Sequence, residues 1–342
     1  MAESILGPIT TIDAWSGASL RGTQSWITHL SSAEIADIDH ALSHAKTLNR
    51  DLFTLTRDDF PMPLMANRFA ATRGELEGGR GFTLLRGLPI ARYSVEEARL
   101  LFWGLSLHLG EPQEQDGAGN RMHNVTNTGM RVEKTNNVRS FQTDDELTFH
   151  CDGGDAFMLL CMKTAKSGGI SKLVSAAHLY NEILRRRPDL IDVLQQPFHF
   201  DTRGQHLSGT RFQSVPIFNV FQGRLSMLYK RRYLRTAQEY PEVPKFTRGQ
   251  QEAIDLIETL TNDPDVQLTF YMEPGDLQLA NNYAVLHARS KYEDFDEPER
   301  RRHLLRAWVT LPNGRALPPA FAATREFGTS YARRHGAPAQ AA

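Results

Sequence analysis

The sequence predicts an α+β fold in which a β jelly roll, also called a double-stranded β-helix, is braced by helices. Short apolar segments bounded by glycine, proline and asparagine recur between residues 82 and 311, and they indicate many short strands. Helical periodicity is concentrated before these segments and in one insertion among them. This order of elements is typical of a strand-built core with helices packed against it.

The N-terminal part of the chain predicts three helices and one strand. The helices open at Ser32, run from Pro63 to about Leu76, and run from Val95 through Leu107. Apolar residues at helical spacing indicate the first two. Ser94 and Glu97 form the pattern of a capping box and set the start of the third. A strand is predicted over residues 82–89, because glycine and proline end an apolar run there.

The remaining elements follow a long polar segment, residues 111–147, which is rich in Gly, Asn, Gln and Asp. A mobile active-site loop and an ordinary surface connection are both consistent with this composition. Beyond it, helices are predicted over residues 176–187 and 247–261. Strands are predicted over residues 157–162, 170–175, 266–271, 277–280 and 302–311, with a hairpin over 218–225.

The chain of 342 residues is predicted to form a single domain. A helical N-terminal part covers about residues 30–110, the jelly-roll core covers about 80–312, and the tail after Thr329 is expected to fray.

The composition favours a cytoplasmic protein that acts on a small molecule. The net charge is −1, with 39 basic and 40 acidic residues, so no overall field favours nucleic acid or a membrane surface. Only two cysteines occur, which excludes a disulfide framework and favours a reducing compartment. No signal peptide or membrane span is recognisable. A homo-oligomer stays open.

His150, Asp152 and His287 are the candidate metal ligands. His150 and Asp152 are two residues apart, so on an extended backbone their side chains project to the same side. His287 is the best candidate for a third ligand. Two histidines and one carboxylate leave open positions on an octahedral metal, the arrangement that non-haem Fe(II) oxygenases use.

Arg302 and Arg306 share one face of the last predicted strand with Leu304 and Trp308. Two inward arginines on a core strand are costly unless they meet anions. The alternative is a surface face with ion pairs to Glu297 or Glu299. The apolar neighbours favour a buried strand.

Several segments together resemble the taurine dioxygenase family of Fe(II)/2-oxoglutarate-dependent oxygenases, which includes clavaminate-synthase-like enzymes. They lie in the family's order and together span about residues 80–310. They are residues 81–89, His150-Cys151-Asp152, residues 168–171, Pro274-Gly275-Asp276, residues 282–287 and residues 302–306. The resemblance implies the jelly-roll fold and an enzyme that uses Fe(II), 2-oxoglutarate and O2.

The resemblance also implies roles for the candidate residues. His150, Asp152 and His287 would ligate iron, and Arg302 would bind the distal carboxylate of 2-oxoglutarate. Ser171 stands where the family usually has a threonine that supports this carboxylate. Arg306 stands where some members bind an anionic group of the substrate or help to hold the cosubstrate. Glu146 stands where the taurine enzyme has a neutral amide.

The expected reaction is hydroxylation of a small polar or carboxylate-bearing molecule, with release of succinate and CO2. Arg306 invites a substrate anion and Glu146 a substrate amine, so an amino acid or a derivative would suit both; the two side chains could instead pair with each other or with neighbours. Desaturation or cyclisation would begin at the same site. A non-catalytic jelly-roll metal-binding protein and a zinc hydrolase are further alternatives. The first would not need Arg302, and the second lacks a separate general base.

Overall fold

A computed structural model describes residues 7–130, 140–204 and 209–336. Its α-helices, in chain order, are α1 Gly17–Leu20, α2 Ser32–Thr47, α3 Pro63–Gly78, α4 Val95–Leu109, α5 Ala176–Arg186, α6 Asp189–Leu194, α7 Arg231–Ala237, α8 Arg248–Thr261 and α9 Gly328–Arg334. The predicted helices at residues 32, 63–76, 95–107, 176–187 and 247–261 are therefore confirmed. The capping box that Ser94 and Glu97 were expected to form is present at the start of α4.

The strands build two main sheets and three short two-stranded ribbons. In chain order they are β1 Ile27–His29, β2 Phe82–Arg86, β3 Glu111–Gln113, β4 His123–Val125, β5 Leu147–His150, β6 Ala156–Lys163, β7 Ser167–Gly168, β8 Ser171–Ser175, β9 Pro197–Asp201, β10 Phe212–Pro216, β11 Phe218–Phe221, β12 Arg224–Met227, β13 Leu268–Phe270, β14 Leu277–Asn281, β15 Val285–Arg289, β16 Tyr292–Glu293 and β17 His303–Thr310. The larger sheet has the order β1-β2-β14-β6-β17-β3, with β4 also paired to β17, and the smaller sheet has the order β13-β8-β15-β5.

The two main sheets pack face to face, as the predicted jelly roll requires. One hydrophobic cluster contains Phe157 and Leu304 of the larger sheet together with Leu173 and Val285 of the smaller one. Side chains alternate along each strand, so the neighbours of these residues point outward. Leu305 of β17, for example, belongs to a second cluster on the other side of the larger sheet. The space between the sheets is where inward polar side chains can converge.

Helices cover the outer faces of both sheets. α2, α3 and α4 pack against the outer face of the larger sheet, through residues such as Phe69 and Phe102. The insertion between β8 and β13 carries α5 to α8 and packs against the outer face of the smaller sheet, where it covers Leu286 and Ala288 of β15. Strands buried on both faces explain the nearly continuous apolar runs in the sequence.

The sequence-based prediction missed three helices, namely α1, α6 and α7, and misjudged the C-terminal tail. α6 follows Pro188, which ends α5 but opens the next helix because proline is tolerated at a helix start. No helix was predicted over the residues that form α7. The tail expected to fray after Thr329 instead forms α9, because Ser330 is fully buried and Arg334 pairs with the buried Asp155. Residues 337–342 lie outside the described part.

The polar segment 111–147 is only partly described. β3 and β4 lie in it and pair with β17, so these parts belong to the larger sheet and are not a free loop. Residues 131–139 lie outside the described ranges. Among the helices of the described residues, none is long and apolar enough to cross a membrane.

Candidate active site

Three candidate ligands converge at the mouth of the jelly roll. β5 and β15 are neighbours in the smaller sheet, and their register sets His150 directly opposite His287. Asp152 follows β5 by two residues. Phe149 and Cys151 point to the outer cluster, so His150 and Asp152 face the space between the sheets. The alternation predicted from the sequence is therefore present.

The geometry of this group suits one metal ion. The nearest nitrogen and oxygen atoms of His150, Asp152 and His287 all lie within 4.8 Å of one another. Nε2 of His150 is 3.9 Å from one carboxylate oxygen of Asp152, and Nε2 of His287 is 3.7 Å from the other. Two imidazole nitrogens and one carboxylate form the facial set of an Fe(II) oxygenase and leave other coordination positions open.

Both histidines are held in the neutral form that a metal requires. Nδ1 of His150 lies 2.8 Å from the carbonyl oxygen of Thr148, so it donates its proton there and leaves Nε2 as the acceptor. Burial lowers the pKa of His150. Burial, and then repulsion from His150, lowers the pKa of His287 well below its usual value. Neutral imidazoles bind metal without first losing a proton.

Asp152 is kept ionised and in place by its neighbours. Burial raises its pKa, but the surrounding positive charge, to which the Arg306 guanidinium contributes most, outweighs burial and lowers the pKa below the usual range. Nη1 of Arg306 lies 3.2 Å from the carboxylate, and Nε of Arg306 donates to Gln115 at 2.8 Å. The side chain of Asn282 accepts from the Asp152 amide at 3.2 Å and donates to the Gly153 carbonyl at 2.7 Å.

A small cavity of about 40 Å³ lies between the sheets beside His287. Ser171, Arg289, Arg302 and Arg306 line it. Arg302 is only 6% exposed, so the alternative of a surface arginine is wrong, and Glu297 pairs with Arg300 instead. The cavity has room for a carboxylate group and presents cations to it.

Several buried donors around this cavity have no hydrogen-bond partner among the described residues. They are Nη1 of Arg302 and both Nε and Nη1 of Arg289. Burial, and then repulsion from Arg302, lowers the pKa of Arg289 to about 10. Arg289 does donate through Nη2 to the carbonyl groups of Thr143 and Asp145. Buried donors are normally satisfied, so two adjacent guanidinium groups that each keep an unsatisfied donor are costly. Such donors match the two oxygens of a carboxylate ligand.

A larger cavity of about 400 Å³ opens on the other side of the candidate ligands. His150 and Asp152 line it, whereas His287 lines the small cavity, so the metal site lies between the two. Arg306 lines both cavities. α7 forms much of the opposite wall, and Trp308 and Arg325 also line it.

The structure brings most of the predicted site residues together. Arg306 lines the larger cavity, and its guanidinium also contacts the carboxylate of Asp152, one of the candidate metal ligands. Ser171 lies in the small cavity with Arg302. Glu146 lines the larger cavity at an exposed position and pairs with Lys172 at 3.3 Å. Glu146 and Arg306 do not form an ion pair with each other, and Glu146 pairs with a neighbour.

Sequence reasoning missed three residues of this site. Arg289 lies two residues after His287 on β15, so the strand period could have placed it on the same face. Lys230 forms a β-bridge with His150 and is buried in the wall of the larger cavity. Gln115, which holds Arg306, lies in the polar segment and carries no local signal. Of these three residues, only Arg289 could have been predicted from the sequence.

Gly153 is expected to be required for the position of Asp152. A Cβ atom at this residue would lie 2.6 Å from the ring of Trp308. Gly153→Ala must therefore displace the turn or the indole, and we expect iron affinity to fall by about 10- to 100-fold, as when an outer contact of a ligand is lost. Gly117→Ala is the control, because nothing lies within 4 Å of its Cβ position. Equal iron affinities in the two variants would contradict the expectation.

Comparisons with known proteins agree with this geometry. The taurine catabolism dioxygenase TauD, TfdA family matches residues 50–308. FR-33289 synthase of Streptomyces rubellomurinus (strain ATCC 31215) is 30% identical over 335 residues, which cover 95% of this chain and 97% of the relative. A uridine-5'-phosphate dioxygenase of Amycolatopsis sp is 27% identical over 239 residues, which cover 66% of this chain and 84% of the relative.

A solved structure supports the fold. Asparagine oxygenase, in complex with Fe(II), 3-hydroxyasparagine and succinate, superposes with a TM-score of 0.64 at 15% identity. The match covers 83% of this chain and 93% of the other. The jelly-roll prediction is thereby confirmed. The chain belongs to the taurine catabolism dioxygenase (TauD/TfdA) family, and it is an oxygenase that depends on Fe(II) and 2-oxoglutarate.

Proposed function

We propose that this oxygenase hydroxylates a small anionic molecule bound in the larger cavity, while 2-oxoglutarate occupies the iron site and the small cavity. The observation that carries the proposal is the pair of buried guanidinium groups, Arg289 and Arg302, with unsatisfied donors beside His287. A protein that only bound a metal would gain nothing from them. A cosubstrate with a carboxylate at its far end accounts for them.

In this proposal His150, Asp152 and His287 hold Fe(II). The set fits iron because its donors are two neutral imidazoles and one carboxylate that stays ionised. Thr148 orients one imidazole through its carbonyl group. Arg306 donates to the carboxylate of Asp152, and the side chain of Asn282 accepts from the backbone amide of Asp152, so both hold this ligand in position. Contacts of this kind tune the affinity of a site for its metal.

Arg302 binds the distal carboxylate of 2-oxoglutarate through its guanidinium fork, because paired N–H groups match paired carboxylate oxygens. Ser171 supports the same carboxylate from β8. Arg289 adds a second positive charge beside it. Tyr292 packs against both arginines, with its ring centre 4.5 Å from the Arg289 carbon Cζ and 5.1 Å from that of Arg302, and so fixes their orientation.

Bound iron and 2-oxoglutarate, with O2 as the oxidant, would supply the chemistry in which one oxygen atom hydroxylates a C–H bond and the other enters succinate as CO2 is released. The residues of this chain position the substrate and keep water out. Phe141, Leu147 and Trp308 give the larger cavity its apolar surface near His150 and Asp152. Arg306 and Glu146 remain candidates for binding charged groups of the substrate, Arg306 from the buried end and Glu146 from the rim.

The proposal is tested by succinate release in the presence of Fe(II), 2-oxoglutarate and ascorbate. We expect slow 2-oxoglutarate consumption without substrate, and much faster consumption when small amino acids, carboxylates or other anions include a true substrate. Product mass should increase by one oxygen atom for each succinate formed. A chelator should stop the reaction, and added Fe(II) should restore it. Faster consumption with a product that has lost two hydrogens would favour desaturation.

The proposal also assigns the protein to the cytoplasm and to small-molecule chemistry without nucleic acid or membrane partners. Support comes from the near-zero net charge and from two cysteines that are both free and buried. A homo-oligomer is compatible with it.

A further inference from the structure

We infer that the substrate carries a phosphoryl dianion, either a phosphate ester or a phosphonate, which binds to the basic wall of the larger cavity. The basic wall is the set Arg203, Lys230, Arg231, Arg232, Arg235 and Arg325. This inference rests on the proposed function, because it concerns the substrate of the same iron site. It replaces the carboxylate expected from the sequence with an anion of higher charge.

The charge of the cavity differs from that of the whole chain. The chain carries a net charge of −1. Seven of the 18 residues that line the larger cavity are arginine or lysine, and three are acidic, namely Asp145, Glu146 and Asp152. Asp152 contacts Arg306 and is the proposed iron ligand, so it does not neutralise the basic wall. A concave surface lined by one sign of charge concentrates ligands of the opposite sign.

The acids behind the basic wall offset only part of it. Glu326 pairs with Lys230 at 2.9 Å and lies 3.5 Å from Arg325. Burial raises the pKa of Glu326, but these two cations outweigh burial and hold the pKa at about 2, so the carboxylate stays charged. Glu258 pairs with Arg231 at 2.5 Å.

Asp201 is the acidic group that acts on Arg232, and its carboxylate is already bonded to Tyr240 and Thr236. Among the described residues, Glu326, Glu258 and Asp201 thus lie behind the basic wall and offset part of its charge. Asp145 lies at the exposed rim, and Glu146 is paired with Lys172. Among the described residues that line the cavity, seven are basic and three are acidic, and this excess favours a ligand with more than one negative charge.

The anion site is held close to the iron site. Three cations surround the indole ring of Trp308, with Arg306, Arg325 and Lys230 at 5.1, 5.9 and 6.0 Å from its centre. Lys230 forms a β-bridge with His150. Both Lys230 and Arg325 are less than a tenth exposed, so a ligand that reaches them is largely desolvated. The reacting C–H bond and the anion must therefore be few bonds apart.

The number of donors favours a phosphoryl group over a carboxylate. A carboxylate offers two oxygens and one charge, whereas a phosphoryl group offers three terminal oxygens and nearly two charges near neutral pH. Arginines bind such groups in bidentate geometry. Two relatives of this chain, at 27% and 24% identity, are uridine-5'-phosphate dioxygenases, and the name of their substrate contains a phosphate. A sulfonate has three oxygens but one charge.

The inference is tested by anion binding to the complex of the full chain with Fe(II) and 2-oxoglutarate, kept without O2. Methyl phosphate, methylphosphonate, methanesulfonate and acetate are titrated at pH 8 and equal ionic strength. We expect both phosphoryl probes to bind at least about tenfold more tightly than the other two, because an extra charge-assisted hydrogen bond has about this value. Tighter binding of methyl phosphate would indicate a phosphate ester as the substrate group, and tighter binding of methylphosphonate would indicate a phosphonate.

Variants locate the binding. Arg325→Gln and Arg232→Gln should each weaken phosphoryl binding by about 10- to 100-fold and change acetate binding little. Arg325→Gln leaves Glu326 with fewer partners and could unfold, so the half-buried Arg232 gives the independent measurement. Arg248→Gln is the matched control, because this arginine lies on α8, is 92% exposed and pairs with Glu252. Thermal unfolding confirms that each variant is folded.

The outcomes separate this inference from the proposed function. Methanesulfonate or acetate binding as tightly as the phosphoryl probes overturns the inference, and so do unchanged affinities in both folded arginine variants. Consumption of 2-oxoglutarate is measured in the same preparations. Consumption together with weak phosphoryl binding refutes only the inference. Tight phosphoryl binding without any iron-dependent consumption refutes the proposed function and leaves the anion site established.

Discussion

Replacing His287 by alanine is expected to reduce iron-dependent succinate formation to the background of an enzyme-free mixture, while the fold survives. The imidazole supplies one of three ligand atoms that lie within 4.8 Å of each other, and two remaining donors bind iron poorly. His287 is buried in neutral form, and its Nδ1 has no partner among the described residues. Its removal therefore leaves no buried charge unpaired.

Asp152→Ala is a less clean test of the same site. Removing Asp152 leaves the buried Arg306 guanidinium without its carboxylate partner, which typically costs about 3–5 kcal/mol of folding free energy. Loss of activity in that variant would combine loss of iron with loss of stability. His199→Ala is the control for His287→Ala, because His199 lies on β9 and bonds to Ser214, away from the iron site. Full activity with stoichiometric iron in His287→Ala would refute the assignment.

Replacing Arg302 by leucine is expected to raise the concentration of 2-oxoglutarate needed for turnover by a factor between roughly 30 and several thousand. A charge-assisted bidentate contact in a desolvated pocket contributes about 2–5 kcal/mol, which corresponds to that range. Arg302 suits this role because it is buried and its Nη1 has no partner in the described part of the chain. The 2-oxoglutarate requirement of Arg302→Lys should lie between those of the wild-type protein and Arg302→Leu, since lysine keeps the positive charge but cannot make the bidentate contact.

Stability gives a second measurement for the same variant. Without 2-oxoglutarate, Arg302→Leu should not lower the melting temperature, because it removes a buried cation that lacks a full set of partners. The wild-type protein should gain stability on adding 2-oxoglutarate, and the variant should lose most of this gain. Arg300→Leu is the matched control, since Arg300 is 54% exposed and pairs with Glu297. An unchanged 2-oxoglutarate requirement in Arg302→Leu would show that another residue binds the carboxylate.

Much of the secondary structure could be predicted from local sequence. α4 is the clearest case, because Ser94 and Glu97 satisfy each other's backbone amides at its start and apolar residues follow at helical spacing. β6 was predicted as a strand over residues 157–162, and its apolar side chains pack into the inner cluster on one face and against the helices on the other. In both cases neighbours in sequence are also neighbours in space.

Where the prediction failed, the stabilising partner was far away in sequence. α9 looked like a frayed tail because its composition is polar and small, yet Arg334 reaches Asp155, a residue 179 positions earlier. α7 lacks an apolar periodicity of its own and is held by packing against β9. Fraying and helix formation in such segments depend on tertiary contacts that no local pattern reports.

The sequence by itself indicated that His150 and Asp152 share one face and that Arg302 and Arg306 share another, because the two-residue period of a strand decides which side chains lie together. His287 was named as the third candidate ligand, a role that the family resemblance implies. Only the tertiary structure decided what those side chains meet. It sets Arg289 beside Arg302, and it brings Lys230 and Arg325 around Trp308 although they lie 95 positions apart in sequence. The physical reason is that charge–charge and hydrogen-bond energies depend on distance in space, which packing of the two sheets and the insertion sets.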